Sequence, residues 1–199
     1  RPSIKINFNK FGVEQEFEGV SLMTLNNNDT DASHVKQHLS YGLFRKAGIP
    51  APRCNFARVT MNGEYLGLYS HIESVRKDFL KRHFAKSGGN LYEGQISDFT
   101  VKAAGTFDAK TNAKKNDRSD LAKATKALAV PDDQLFEEVG KVIDIDHFYR
   151  YWAMECLIGF NDGYSGNQNN FFIYNDPSSG RFKFMPWGTD GVFRARSSK

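Results

Sequence analysis

The segment FARVTMNGEYLGLYSHI, residues 56–72, indicates a β-hairpin more clearly than any other part of the chain. Apolar and polar residues alternate on both sides of Asn62 and Gly63, as expected for two half-buried strands. Asn-Gly is a preferred pair in a type I′ turn, because both central residues of that turn need a positive φ. The sequence therefore predicts two antiparallel strands joined by a two-residue turn.

The residues upstream of this hairpin predict two further strands and one helix. Residues 4–8 alternate apolar and polar side chains, and residues 17–25 are a second strand candidate. Residues 33–47 predict a helix with Ser33 as its N-cap and Gly48 as its stop. Four apolar residues recur there at three- and four-residue spacing and are expected to form the buried face: Val35, Leu39, Leu43 and Phe44.

Downstream of the hairpin the sequence predicts mainly helices, followed by a second hairpin. Turn-forming residues at 175–180 separate strand candidates at 169–174 and 181–186. Residues 99–120 contain few large apolar side chains, and we expect a mobile insertion or a long loop there. Helices are expected at 76–84, at 121–129, from 131 onwards and at 144–160. Strands and helices grouped in this way indicate an α+β fold.

The composition of the 199 residues is that of a single globular domain. Apolar residues make up 40% and charged residues 25%, close to the averages of soluble proteins. The apolar runs are only a few residues long, so no membrane span is expected. Cys54 and Cys156 are too few for a disulfide-dense scaffold or a four-cysteine zinc site, and leave free thiols or one disulfide open.

The charge of the chain is mildly basic. A net charge of +4 fits an anionic partner such as a nucleotide or an acidic protein. Aromatic residues are not interleaved with Lys and Arg in one stripe, so nucleic-acid binding is not expected. The chain starts at Arg1 without a signal-peptide pattern and stops at Lys199 after a segment rich in aromatic residues and Gly. We therefore expect a fragment truncated at both ends.

Two polar clusters near the end of the chain contain the candidate catalytic and metal-binding residues. Residues 161–170 read NDGYSGNQNN, so Asp162 is followed by several amides but by no second carboxylate. Two interpretations are open. The polar side chains of this loop cap backbone groups, or the Asp orients a hydroxyl while an Asn binds a metal. Asp190, in the segment PWGTDG, is either a turn residue or a second metal ligand. An Asp and an Asn before a hairpin, with an Asp after it, is the order found in protein kinases.

Several other catalytic classes lack their motifs in this chain. It has no Walker A motif, no Gly-x-Gly-x-x-Gly, no His-Glu-x-x-His and no Gly-x-Ser-x-Gly. His34 and His38 lie four residues apart on the predicted first helix, but no carboxylate partner for a shared metal is evident. These absences argue against P-loop, dinucleotide-binding, zinc-protease and α/β-hydrolase chemistry.

Several stretches, taken together, resemble one protein family. The longer ones are residues 43–51 (LFRKAGIPA), residues 59–73 (VTMNGEYLGLYSHIE) and residues 181–187 (RFKFMPW). Shorter matches lie at residues 25–26, 31–33, 144–146, 161–164, 169–174 and 190. On these motifs, which extend over nearly the whole chain, the sequence is similar to the spore coat protein H (CotH) kinase family, which resembles secreted, atypical protein kinases.

The resemblance implies a fold, an activity and a location. The fold would be protein-kinase-like and two-lobed, with a strand-rich part over about 1–75 and a helical part over about 76–199. The activity would be phosphoryl transfer from ATP, with Mg²⁺ or Mn²⁺, to Ser or Thr of a protein substrate. A Ser-rich or basic surface or coat protein would be that substrate. The protein would be extracellular, on the cell surface or in the spore coat.

The resemblance also implies roles for particular residues. Asp162 would be the catalytic aspartate, and Asn170 and Asp190 would bind the metal. Asn167 is the rival of Asn170, because it lies five residues after Asp162, the spacing of the common kinase loop.

Two further residues are candidates for nucleotide binding. Lys5 on the first predicted strand would hold the phosphates, and its alternative is a solvated lysine at a strand edge. Glu73, where the first hairpin ends, would sit near the adenine.

Two departures from the family pattern leave other functions open. Gly188 stands where the family has the first Asp of Pro-Trp-Asp-x-Asp, and the first helix offers Gln37 but no Glu to pair with the lysine. One alternative is a catalytically impaired, kinase-like binding module used in adhesion or coat assembly. Another is a transferase that moves AMP from ATP to protein.

Overall fold

The computed structural model describes residues 2–12 and 15–194 of the chain. Within these residues it contains two four-stranded antiparallel sheets and several helices. The α+β class predicted from the sequence is therefore confirmed.

The first sheet is built from the N-terminal part of the chain. Its strands are β1 (Ile4–Asn7), β2 (Leu22–Asn26), β3 (Cys54–Met61) and β4 (Glu64–Ile72). They lie in the order β1-β2-β4-β3, and each neighbouring pair is antiparallel. Asn62 and Gly63 join β3 to β4 with φ values of 52° and 83°. The two positive angles are those of a type I′ turn, as predicted from the Asn-Gly pair.

Helix α1 (Lys36–Lys46) lies between β2 and β3, but its buried face differs from the prediction. Val35 and Leu39 are exposed, whereas Phe44 is buried as expected. Ser33 is not the N-cap. Its hydroxyl donates to Asp31, and the Asp31 carboxylate instead accepts the backbone N–H of Lys36 at 2.8 Å. The buried residues of the helix are Gln37, Ser40, Tyr41 and Phe44.

The remaining chain forms the helices and the second sheet. After α2 (Lys77–His83), the elements are β5 (Leu91–Gly94), β6 (Asp108–Ala109), α3 (Ser119–Ala127), α4 (Asp132–Val142), α5 (Ile145–Ile158), α6 (Tyr164–Asn167), β7 (Phe171–Asp176) and β8 (Arg181–Pro186). Short 3₁₀ turns occur at Ala104–Thr106 and Thr189–Gly191. The order in this sheet is β6-β5-β7-β8. β7 and β8 thus form the predicted second hairpin. β8 is at the edge of the sheet, and β7 is its neighbour.

Residues 99–120, predicted to be an insertion or a long loop, contribute to the core in the structure. Phe99 and Phe107 are each only 1% exposed. β6 pairs with β5, and the Thr111 hydroxyl donates to the Gly89 carbonyl at 2.8 Å. Phe99 and Phe107, which pack against Phe182 and Phe171, are therefore the anchors of this segment on the second sheet.

Aromatic side chains join the two parts of the fold into one core. Phe44 on α1 packs against Tyr151 on α5 with ring centroids 5.7 Å apart, and Tyr151 packs against Phe184 on β8 at 5.5 Å. Cys54 is buried and Cys156 is exposed, and both are free thiols. None of the helices in the described residues has the length and apolar character needed to cross a bilayer.

Candidate functional site

The loop that carries Asp162 is held in place by a buried carboxylate on the preceding helix. Glu155, on α5, is 1% exposed. Its two oxygens accept the backbone N–H groups of Tyr164 and Ser165, each at 2.9 Å. Gly163 is required here, because a β-carbon would lie 2.2 Å from Glu155 Oε1. Burial raises the pKa of Glu155, although the hydrogen bonds it accepts oppose that shift.

Asp162 accepts hydrogen bonds from side-chain amides of the segment that follows it, which includes the short helix α6. Its Oδ1 accepts from Asn167 Nδ2 at 2.7 Å and from Asn169 Nδ2 at 3.5 Å, and its Oδ2 accepts from Asn170 Nδ2 at 2.5 Å. The two candidates for the amide metal ligand, Asn167 and Asn170, therefore both contact the predicted catalytic aspartate.

Asn170 also connects this loop to the end of β8. Its backbone carbonyl accepts the Trp187 N–H at 2.9 Å. Its side chain lies against Gly188, which has a φ of 54°. A β-carbon on Gly188 would be 2.7 Å from Asn170 Oδ1. With Nδ2 donating to Asp162, the amide oxygen of Asn170 is turned toward the segment that contains Asp190.

Asp190 lies in the 3₁₀ turn after β8 and contacts the N-terminal part of the fold. Its Oδ2 accepts a hydrogen bond from Thr30 Oγ1 at 2.6 Å. The preceding residue, Thr189, is buried, and its hydroxyl is 2.5 Å from the hydroxyl of Ser40 on α1. The turn is thus tied to α1 and to the loop before it.

The oxygen atoms of these residues are suitable for a hard divalent cation. Asp190 supplies a carboxylate and Asn170 an amide oxygen, both of which are ligand types of Mg²⁺. No group of three or more His, Cys, Asp or Glu side chains suited to a metal ion occurs within residues 2–12 and 15–194. A metal held here would therefore depend on the amide oxygen as well as on carboxylates.

Lys5 lies apart from this cluster, in a basic cavity beside the first sheet. On β1 it is paired in register with Thr24 of β2. The cavity is about 400 Å³ and is also lined by Lys10 and Arg76. A smaller adjoining cavity shares Lys5 and Arg76 and extends to Trp187, the neighbour of Gly188. Lys5 and Trp187 therefore line the same small cavity.

Glu73 follows β4 and is engaged by two arginines. Its carboxylate forms ion pairs with Arg82 and with Arg53, the latter at 3.4 Å. It also accepts the Arg53 backbone N–H at 2.9 Å. Ser74, the next residue, lines the smaller cavity beside Lys5. The role of Glu73 near an adenine stays a prediction.

Sequence reasoning missed three features of the site. Glu93 and Lys110 form an ion pair that lines the smaller cavity. Glu155 supports the loop of Asp162, and Thr30 contacts Asp190. No local pattern could have identified the Thr30 contact, since the two partners are 160 residues apart. For Glu155 the sequence offered one indication of a special role, namely that it is the single Glu in the mainly apolar helix α5.

Comparisons with known proteins agree on one group of relatives. A family model described as CotH kinase protein matches residues 1–198. Inner spore coat protein H of Bacillus subtilis (strain 168) is 28% identical over 188 residues, which is 89% of this chain and 51% of that protein. Two proteins of Rhizopus delemar are also similar. Spore coat protein homolog 1 is 26% identical over 74% of this chain, and Invasin CotH2 is 23% identical over 83% of it.

The chain is shorter than these relatives. It spans about half the length of the bacterial protein, 26% of spore coat protein homolog 1 and 31% of Invasin CotH2.

Proposed function

Because this chain belongs to the CotH kinase family, we propose that it transfers a phosphoryl group from ATP to a Ser or Thr hydroxyl of a protein substrate, in the presence of Mg²⁺ or Mn²⁺. The observation that carries this proposal is the contact between Asp162 and Asn170 at 2.5 Å. These residues precede the β7–β8 hairpin, and Asp190 follows it, which is the arrangement of the catalytic and metal-binding residues in protein kinases.

The proposed roles follow from the chemistry of each side chain. Asp162 orients the acceptor hydroxyl and takes its proton, since a carboxylate held by amide donors has a defined direction for a further hydrogen bond. Asn170 and Asp190 are the metal ligands. When bound, the divalent cation neutralises charge on the transferring phosphate.

The basic cavity beside β1 is the proposed nucleotide site. Lys5 steadies the phosphates, and Lys10 and Arg76 add positive charge to the same cavity. Glu73, next to the cavity-lining Ser74, is proposed to lie near the adenine. In this proposal the first sheet with α1 and the second sheet with the later helices correspond to the two lobes of an atypical kinase. The smaller adjoining cavity is lined by both sheets, with Lys5 from the first and Glu93 and Phe172 from the second.

The names of the relatives support a location and a class of partner. Two of them are named as spore coat proteins and one as an invasin. We propose that this protein also acts outside the cell, at the cell surface or in a spore coat. Its substrate would then be a Ser-rich or basic surface or coat protein.

A second candidate function is supported by Gly188. This residue takes the place of a carboxylate in the family pattern, and its α-carbon lies against Asn170. With one carboxylate fewer, the site would bind a divalent cation more weakly. A kinase-like module that serves in adhesion or coat assembly without catalysis is therefore the alternative.

The test measures nucleotide binding and transfer separately. Calorimetry would follow ATP binding to the wild-type chain, Asp162→Ala and Asp190→Ala, with and without Mg²⁺ or Mn²⁺. We expect metal-dependent binding in the wild type and in Asp162→Ala, and its loss in Asp190→Ala. Transfer to a Ser-rich acceptor protein, followed by intact mass, should be lost in both variants.

Other outcomes separate the alternatives. A folded wild-type protein that neither binds ATP nor modifies an acceptor would contradict the kinase proposal and favour the binding module. A mass increase equal to AMP rather than to phosphate would instead identify a nucleotide transferase on the same scaffold.

A further inference from the structure

Asp190 is hydrogen-bonded to a loop from the N-terminal part of the chain. Thr30, between β2 and α1, donates from Oγ1 to Asp190 Oδ2 at 2.6 Å. The bond is accepted by Oδ2, one of the two carboxylate oxygens of Asp190. A hydroxyl donor in this position selects one orientation of the Asp190 side chain among its rotamers.

The loop that carries Thr30 is anchored by the buried residue Asn28. Asn28 is 3% exposed and has a φ of 54°. Its Oδ1 accepts from Ser70 Oγ at 2.8 Å and from Gln37 Nε2 at 3.3 Å, and its Nδ2 is 3.2 Å from His34 Nδ1. The buried side chain therefore links the loop to β4 and to α1.

On the other side of Thr30 the loop is held by Asp31. Asp31 is buried, its N–H donates to the Asn28 carbonyl at 3.0 Å, and its carboxylate accepts the Lys36 N–H at 2.8 Å. Thr30 thus lies between two residues that the fold holds in place. We therefore expect its hydroxyl to have a defined position, although the Thr30 side chain is exposed.

The turn that contains Asp190 also contacts α1, through the side chain of Thr189. Ser40 and Thr189 are both buried, and their hydroxyl oxygens are 2.5 Å apart. One hydroxyl of the N-terminal part therefore fixes the turn, and another directs the carboxylate. This explains why α1 buries the polar residues Gln37 and Ser40 in place of the apolar residues expected from its sequence.

We propose that Thr30 is a positioning residue that orients Asp190 for metal binding, and that Ser40 supports it through Thr189. The inference rests on the proposed function, because Asp190 is a metal ligand only there. Hydrogen-bond partners of ligating carboxylates orient them toward the metal, and their loss typically weakens metal affinity 10–100-fold. The N-terminal sheet and α1 would in this way be coupled to the metal site without a Glu on α1.

The test compares three variants of the full chain. Thr30→Val removes the donor at nearly constant shape, Thr30→Ser keeps it, and Thr60→Val makes the same chemical change at an exposed position on β3. Mn²⁺ affinity in the presence of ATP would be measured by electron paramagnetic resonance. We expect Thr30→Val to bind Mn²⁺ about 10–100-fold more weakly, and the other two variants to bind as the wild type does.

A second readout does not depend on metal or nucleotide. Hydrogen exchange of the backbone amides of residues 189–191, measured without ligands, should be faster in Thr30→Val and in Ser40→Ala than in the wild type. Ser40→Ala also serves if Thr30→Val fails to fold. Its expected Mn²⁺ affinity is likewise lower than that of the wild type.

The outcomes distinguish this inference from the proposed function. Wild-type Mn²⁺ affinity in Thr30→Val, or an equal loss in Thr30→Ser, would overturn the role of the hydroxyl. If the wild type itself binds no Mn²⁺ with ATP, the proposed function is contradicted. Hydrogen exchange then decides whether Thr30 holds the turn. Unchanged exchange in Thr30→Val would then overturn the inference too, whereas faster exchange would retain Thr30 as the residue that holds the turn.

Discussion

The α-carbon of Gly188 lies directly against the side-chain amide of Asn170, so that a β-carbon at position 188 would be 2.7 Å from Asn170 Oδ1. Gly188 has a φ of 54°, a conformation that favours glycine. The contact matters because the same amide donates to Asp162 at 2.5 Å. Gly188 is therefore part of the arrangement that holds Asn170 beside the proposed catalytic residue, and not simply a missing carboxylate.

Replacing Gly188 should be more costly than replacing a glycine with a similar backbone and free space. In Gly188→Ala the left-handed backbone costs about 1–2 kcal/mol, and the contact with Asn170 adds about 1–3 kcal/mol of overpacking. Gly180→Ala is the matched control, since Gly180 has a φ of 70° and no atom within 4 Å of an added β-carbon. Urea unfolding measures both. Equal losses of stability would mean that Asn170 moves aside freely.

Replacing one acceptor oxygen of Glu155 should loosen the loop that carries Asp162. In Glu155→Gln an amide N–H₂ replaces one of the two oxygens that accept from Tyr164 and Ser165. One buried backbone donor then loses its acceptor, at a cost of about 1–3 kcal/mol. Urea unfolding and faster hydrogen exchange of the two amides would report this change. Glu64→Gln, at an exposed position, should leave both unchanged, and an unaffected Glu155→Gln would refute the supporting role.

The packing of residues 99–120 can be tested with two apolar residues from that segment. Phe107 is 1% exposed, and Phe107→Ala should lower the free energy of unfolding by about 3–5 kcal/mol. Val101 is 84% exposed, and Val101→Ala should change stability by no more than about 0.5 kcal/mol. Denaturant titrations compare the two. A negligible effect of Phe107→Ala would instead support the mobile insertion or long loop expected from the sequence.

Mild acid should destabilise the fold through His147. Burial lowers the pKa of this imidazole, although the Phe184 carbonyl 2.7 Å from Nε2 opposes the shift. In the unfolded chain the His147 imidazole binds a proton near pH 6.5, whereas in the folded chain it binds one only at a lower pH. The stabilisation from neutral His147 is therefore complete above about pH 6.5 and is lost as the pH falls through the lower folded pKa.

Thermal unfolding between pH 7.5 and pH 5.5 checks this expectation. The melting temperature of the wild type should fall across that range. His147→Gln keeps an N–H donor for the Phe184 carbonyl but does not titrate, so its melting temperature should fall less. Burial raises the pKa of Glu155, so its contribution to stability changes with pH in the opposite direction. Both proteins contain Glu155, so it does not affect the comparison. Parallel curves for the two proteins would exclude His147 as a source of the pH dependence.

Local structure was predictable where short-range physical chemistry decides it. The β3–β4 hairpin follows from alternation around Asn62 and Gly63, and both residues have the positive φ that was expected. The β7–β8 hairpin and α5 were also predicted close to their observed bounds. The placement of Asp162 and Asn170 in one loop followed in turn, because only eight residues separate them and two regular elements bracket them.

Helix α1 shows where that reasoning fails. The spacing of Val35 and Leu39 indicated a buried apolar face, yet both side chains are exposed. Gln37 and Ser40 are buried instead, because this face meets Asn28 and Thr189, which are polar. Periodicity reports which face is apolar, but it contains no information about a polar partner that comes from elsewhere in the chain.

The α+β class, the hairpins, most helices and the residues of the Asp162 loop were predictable, because each depends on residues close together in the chain. Other features could not be predicted: Thr30 contacts Asp190, Lys5 and Trp187 line one cavity, and Arg53 and Arg82 form ion pairs with Glu73. Such contacts depend on how whole elements pack against one another. Their partners can be far apart in the chain, 160 residues in the case of Thr30 and Asp190, so no local propensity specifies them.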